Sequence, residues 1–521
     1  MKPTLLLTLL AGCLAGQISD QELVRAEPRN WLTYQGVYNA QRHSLLKQVN
    51  TANVRNLVPK WIYHINGASR LESVPIVVDG VMYVSQPNEV YALDSSTGRV
   101  IWEYHRRAPR RGANRGVAVY DHKVYFGTPD AYLVALDART GNLVWETKLA
   151  EASEGYWSPA APLIVKGKVI TGIAPGDHGL NGFLDAYDAR TGERIWRWHA
   201  IPKPGEPGSE TWAGDSWKTG GGDTWVTGSY DPELDLIYWG IGNPAPDFDG
   251  DDRKGDNLYT ECMVAIESAT GKMRWYFQFT PHDVHDWDAV EIPVLVDVPY
   301  EGRTRKLLVQ ANRNGYYYVL DRATGKFLHG TPFVKLLNWA TGLTPQGRPI
   351  RVPGVVPTLQ GTKTCPATSG ATNWMSPAYN PDTGLFYVVA LEGCGINTKS
   401  KDTFRPGGFP FMGTGYIESP EEPWQTYLRA LDVTTGKLRW EYKQIGSRHY
   451  GAGLVSTAGG LVFAGDDSGM FTAHDATNGN PLWHFNTGQR ISASPMTYSF
   501  KGKQYIALTA GSNVIAFGLH E

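Results

Sequence analysis

The sequence predicts an all-β chain folded as an eight-bladed β-propeller, and three observations carry the prediction. An eleven-residue phrase ending in an aromatic residue recurs seven times. Gly (58) and Pro (33) are abundant, with 18 Trp and 27 Tyr, a usage that suits many short strands joined by tight turns. The two ends of the chain also carry strand-like segments able to pair with each other and close a ring.

The chain opens on MKPTLLLTLLAGCLAGQ, in which one Lys precedes an apolar run and small residues. Such a segment is an export signal rather than a membrane span. Residues 1–17 are therefore assigned to the signal and 18–521 to a single propeller domain. Leu10-Ala11-Gly12-Cys13 is similar to a bacterial lipobox, which makes lipid anchoring at Cys13 the minority reading. No later run approaches the roughly 18 apolar residues that cross a bilayer. A formal net charge of -2 offers no electrostatic case for nucleic acid or an anionic membrane.

The repeat appears as ALDSSTGRVIW (92–102), ALDARTGNLVW (135–145), AYDARTGERIW (186–196) and AIESATGKMRW (265–275). A weaker copy, VLDRATGKFLH (319–329), precedes ALDVTTGKLRW (430–440) and AHDATNGNPLW (473–483). Each reads as strand, turn, strand: Asp, Thr and Gly supply the turn, and Trp packs on a neighbour. Upstream of most copies lies another strand pair, such as PIVVDGVMYVS (75–85) with its Asp-Gly turn. Four strands recurring in this way describe a radial array. The eighth unit is completed by NVIAF (513–517) and VPKWIY (58–63). The longest gaps between copies, 196–265 and 329–430, hold extra loops, where sites usually lie.

One stretch outside the repeat is dense in chemistry. TPHDVHDWDAV (280–290) holds Asp283, Asp286 and Asp288 with His282 and His285. Aspartates in a loop are by default solvated. On extended backbone, however, Asp286 and Asp288 would point to one side, and two such carboxylates repel unless a cation lies between them. Hard cations take clusters of oxygen ligands.

Four features together resemble the quinoprotein alcohol dehydrogenases, periplasmic enzymes that use pyrroloquinoline quinone (PQQ). They are NWLTYQGVYNAQRHSLL (30–46), the tryptophan repeats, WVTGSYDPELDLIYWGIGNPAP (225–246) and TPHDVHDWDAV. The resemblance runs from Trp31 to the C-terminus. It implies oxidation of an alcohol to an aldehyde at a cofactor lying flat near the propeller axis above a metal ion. It implies that Trp225 stacks on the quinone, that Glu72, Arg115 and Asn373 contact it, and that Arg313 lies beside its oxygens. It makes Asp286 the base. Asp177, Asn243, Asp286 and Asp288 become the metal ligands, with Asp177 one methylene shorter than the glutamate often found there. Calcium-dependent relatives usually carry a small neutral residue two positions after the catalytic aspartate, and lanthanide-dependent ones an Asp. Asp288 therefore points to a light lanthanide over calcium. Cys365 and Cys394 match a disulfide that staples a loop beside the site, and Cys262 reads as a small core residue.

There are departures. A vicinal cysteine pair found in many relatives is missing near Pro109 and Arg110. Pro159, beside Ser158, stands where a threonine is expected, and Tyr450 where a Trp often sits. The sequence has no CxxCH haem motif. The resemblance is thus to the haem-free class, which passes electrons to a separate cytochrome c or similar carrier. The competing reading is a non-enzymatic propeller scaffold of the outer-membrane assembly type. It shares the repeats but has no use for Asn243, Asp286, Asp288 and Arg313.

Overall fold

The computed structural model describes residues 18–24, 28–108, 112–445 and 451–520. The signal segment with Cys13, and Pro109, Arg110 and Tyr450, lie outside the described residues. Seven four-stranded sheets and one five-stranded sheet follow one another along the chain. Their strands are antiparallel meanders, such as Ile76–Val78, Val81–Gln86, Glu89–Asp94 and Val100–His105. The fifth strand of the larger sheet is His43–Ser44, added parallel to Leu454–Thr457.

Burial explains the order within a sheet. The third strand of that meander, Glu89–Asp94, is buried on both faces, so it reads as a nearly continuous apolar run. The fourth, Val100–His105, buries only Trp102 and turns its polar side chains to water. The Trp is thus the inward residue of an outer strand, and what it touches decides how the sheets join.

Each repeat Trp donates its indole N–H to a backbone carbonyl in the turn of the next sheet. The bonds run from Trp102 to Ala138 (3.0 Å), Trp145 to Ala189 (3.3 Å), Trp196 to Ser268 (3.1 Å), Trp275 to Arg322 (3.2 Å) and Trp440 to Ala476 (3.2 Å). Where the weak copy has His329 in place of Trp, the imidazole Nε2 lies 2.9 Å from the Thr435 carbonyl and fills the same role. Trp483 reaches Leu57 (3.1 Å), and Trp61 reaches Ser95 (3.0 Å), so the series returns to its start. The turn glycines make the contact possible. Gly141 has φ +74°, and a Cβ there would lie 2.6 Å from the Trp102 ring.

The chain ends meet in one sheet. Leu57–His64 pairs antiparallel with Asn513–Leu519, from Leu57 opposite Leu519 to His64 opposite Asn513, with a register shift between Pro59 and Trp61. A separate three-stranded sheet of Thr362–Thr364, Gly395–Lys399 and Thr414–Glu418 organises much of the insertion after the weak copy. Cys365 and Cys394 are joined there in a disulfide, while Cys262 is buried and free. No described helix is long and apolar enough to cross a membrane.

Two measurements probe this frame. The disulfide closes a loop of sequence separation 29, and removing it with Cys365→Ser and Cys394→Ser lowers urea-unfolding stability by about 2–4 kcal/mol. In the repeat turns, burial works against ionisation of Asp94, Asp137, Asp188 and Asp432. Hydroxyl and backbone N–H donors of the same turn outweigh it and hold these carboxyls below their ordinary range. Their stabilisation is complete above the unfolded value of about 3.9 and disappears as pH falls through the lower folded values. The urea midpoint therefore drops on acidification below about pH 4, and Asp137→Asn, which cannot protonate, shows a smaller drop.

Candidate active site

The stretch 280–290 is not extended. His282 and Asp286 adopt φ of +51° and +60°. The reason is Asp283, whose Oδ2 accepts the backbone N–H of His285 (3.2 Å) and of Trp287 (3.1 Å) and curls the chain into a tight turn. Trp287, fully buried, pins the far side against Trp339 (5.0 Å) and donates to the Ala367 carbonyl (2.9 Å). Arg253 and Arg351 hold the near side through the carbonyls of Asp283, Pro281 and His282. Asp286 is left at the apex. Asp286 and Asp288 therefore do not share a side by strand alternation; the turn aims them separately.

Asp288 is engaged on both oxygens. Oδ1 accepts the Asn243 backbone N–H (2.8 Å). Oδ2 accepts the Trp225 indole N–H (3.1 Å) and Arg313 Nη2 (2.8 Å). Arg313 also donates to the Asp286 carbonyl (2.9 Å) and the Asn373 side-chain oxygen (3.3 Å), and its Nη1 lies 3.7 Å from Asp286 Oδ1. One guanidinium thus ties together Asp286, Asp288 and Asn373, which the sequence singled out.

Oxygens of Asp286, Asp177 and Asp247 all lie within 4.8 Å of one another. Asp177 sits on a short 3₁₀ turn, Gly176–His178. Two bonds seat this turn: Gly176 N–H to Asp223 Oδ1 (2.6 Å), and Phe411 N–H to the Asp177 carbonyl (2.6 Å). The side-chain oxygen of Asn243 is buried without a hydrogen-bond partner among the described residues. Burial first, then the charges of Asp177 and Asp286, pushes the Asp247 carboxyl well above the ordinary range. Burial does the same to Asp286, against the pull of Arg313. Crowded carboxylates around an orphaned amide oxygen are what a hard cation satisfies, so these residues fit a bound metal ion.

A cavity of about 380 Å³ opens beside this cluster. Its walls include Asp177, Asp286, Asp288, Arg313, Asn373 and Trp225. Glu72 and Arg115 line it as well, joined by an ion pair of 3.0 Å, and Arg70 holds the other Glu72 oxygen at 3.1 Å. The Arg115 guanidinium lies 4.5 Å from the centre of the Trp225 ring and 5.0 Å from that of Trp374. The indole face thus already accepts a flat π-bearing group, and the surrounding cations suit an anionic one. A flat anionic quinone fits these residues.

The family model described as the PQQ glucose/ethanol/alcohol dehydrogenase β-propeller domain matches residues 31–332 and 443–506. The chain belongs to the quinoprotein alcohol dehydrogenases. The quinoprotein alcohol dehydrogenase PedH of Pseudomonas putida is 38% identical, across 96% of this chain and 90% of PedH. The crystal structure of the quinohemoprotein alcohol dehydrogenase of Comamonas testosteroni superposes with a TM-score of 0.92 at 33% identity, covering 97% of this chain and 83% of that one. A europium-containing methanol dehydrogenase gives 0.89 at 32% identity, covering 96% and 100%. This quinoprotein is therefore an oxidoreductase rather than a scaffold.

Sequence reasoning overlooked Asp223, Asp247, Arg70 and Trp374. Two had a signal. Asp223 lies two residues before Trp225, and Trp374 directly follows Asn373. Ser158 does not face the cavity: its hydroxyl donates to the Gly172 carbonyl (3.0 Å) and serves packing between sheets.

The central guanidinium is open to a direct test. Arg313→Gln leaves the buried carboxyls of Asp288 and Glu291 without the guanidinium that lies 2.8 Å and 3.6 Å from them. In metal-free buffer the variant loses about 3–5 kcal/mol of stability in urea unfolding, and added metal ion restores part of it.

Proposed function

We propose that this quinoprotein is an exported propeller of eight four-stranded blades that oxidises an alcohol to an aldehyde. Trp225 supports the PQQ, with Glu72, Arg115, Arg313 and Asn373 at its edges. Asp177, Asn243, Asp286 and Asp288 hold the metal. The observation that carries this reading is the convergence of the Asp177 and Asp286 oxygens, within 4.8 Å, at a cavity walled by Trp225.

When bound, PQQ would supply the oxidant, and a metal ion held by Asp177, Asn243, Asp286 and Asp288 would supply Lewis acidity. The protein's part is a proton and a geometry. Asp286, at the apex of its turn, takes the proton of the substrate hydroxyl on a carboxylate oxygen. A base must be ionised to act; burial outweighs Arg313 in opposing that form, so a metal cation held beside Asp286 would be needed to favour it. Asp288 keeps Arg313 in place, and an ionised carboxylate retains lone pairs beyond the bonds it already accepts, so Asp288 still has capacity for a metal.

A trivalent ion needs more anionic oxygens than a divalent one, which favours a light lanthanide over calcium here. The likeness to a europium-containing methanol dehydrogenase supports that choice. Electrons would pass to a separate cytochrome c or similar carrier, as the resemblance to the haem-free class implies. The apolar leader and the disulfide support export to the periplasm.

Two experiments test the assignment. Asp286→Asn lowers alcohol-dependent dye reduction by about 10² to 10⁴, with the metal content measured in parallel. Near-normal turnover at full metal occupancy removes Asp286 as the base. Metal-free protein reconstituted with PQQ and lanthanum or cerium turns over faster than with calcium, and Asp288→Ala loses the lanthanide-dependent rate first. Equal or better turnover with calcium, untouched by Asp288→Ala, refutes the lanthanide assignment.

A further inference from the structure

Asp247 has no role in the scheme above, yet its setting is unusual. It is completely buried. Its Oδ1 accepts the side-chain N–H of Asn243 (2.9 Å), and its Oδ2 has no hydrogen-bond partner among the described residues. A buried carboxylate left half unsatisfied is costly, and proteins keep such groups paired or bound to metal. Arg253, the nearby cation, is already spent on the carbonyls of Pro246 and Asp283 and on the Asn257 side chain.

The loop that carries Asp247 is pinned at several points. The Asn243 N–H is held by Asp288 and the Asn243 carbonyl by the Gly222 N–H. The Ala245 N–H reaches the Gly220 carbonyl, and the Phe248 N–H reaches the Met412 carbonyl (2.9 Å). The side chain is thus pre-positioned, with an oxygen within 4.8 Å of those of Asp177 and Asp286. The bond from Asn243 Nδ2 to Asp247 also fixes which way that amide faces, and the amide oxygen left over is the buried, unpartnered one.

We infer that Asp247 is a further direct ligand of the metal ion, binding through Oδ2 while its Oδ1 orients the Asn243 amide toward the same ion. The inference rests on the proposed metal site and deepens it. Asp247 joins Asp177, Asp286 and Asp288, so four carboxylates face the ion against the single guanidinium of Arg313. That excess of negative charge matches a trivalent ion better than a divalent one.

The test uses the full chain, stripped of metal and titrated with europium(III), with the luminescence lifetime in H₂O and D₂O counting coordinated water. Asp247→Ala is expected to bind europium about 10- to 100-fold more weakly and to gain about one coordinated water in place of the lost oxygen. Asp247→Asn preserves the shape and guards against a folding defect. It is expected to weaken binding and to move the europium excitation line to higher energy, as the loss of one anionic ligand requires. An unchanged water count in Asp247→Ala together with an unmoved line in Asp247→Asn overturns direct ligation, even if affinity falls. Failure of the unmutated protein to bind europium at this site overturns the metal site itself, and the Asp247 assignment with it.

Discussion

Everything at the centre of this molecule follows from mutual repulsion among crowded carboxylates, several of them buried. Asp177, Asp223, Asp286 and Asp288 line a single cavity, Asp247 lies beside Asp177 and Asp286, and Glu261 and Glu291 are buried nearby. Water hardly reaches Asp223, Asp247 and Asp288, though Asp177 is exposed and Asp286 half-buried, and the one guanidinium of Arg313 cannot neutralise them all. Such an arrangement persists only where the surrounding backbone leaves the side chains no retreat. That restraint is visible around Asp286. Asp283 is spent on curling the turn, Trp287 is sunk as an anchor, and Arg253 and Arg351 grip the carbonyls on the approach.

The restraint is inherited from the ring. Asp177, Trp225, Asn243, Asp286 and Arg313 come from segments far apart in sequence, so their spacing depends on how accurately neighbouring sheets are set. Indole-to-carbonyl bonds set that spacing at every step but the one made by His329, and all of these indoles except Trp483 are seated against a glycine too small to push the ring away. The step through His329 shows that the geometry matters more than the residue type. Its imidazole makes the same bond, and Tyr317 takes over the contact with Gly436.

The repeat was legible because turn chemistry and an aromatic at fixed spacing mark it in the sequence itself. The pairing of the chain ends was legible for the same reason. The carboxylate cluster was only partly so. Alternation along a strand suggested that Asp286 and Asp288 act together, but the backbone at Asp286 has positive φ, and no local pattern in the sequence announces a turn capped by Asp283. Asp247 was hidden differently. It lies among Asp249, Asp251 and Asp252 in a Gly- and Pro-rich loop, where an acidic residue looks like ordinary surface. Only the contacts made by Asn243 and Asp288 separate it from its neighbours.

The sheet that joins the two chain ends has a consequence for how the molecule is made. Leu57–His64 finds its partner only in Asn513–Leu519, so a strand made early waits for nearly the last segment of the chain. Closing so long a loop is a late and slow event. Until then Leu57–His64 and the strand it will meet keep unpaired edges, which are open to association with other chains. Biogenesis therefore has an interval in which the nascent ring is a split washer, and guarding its gap falls to whatever receives the chain as it emerges.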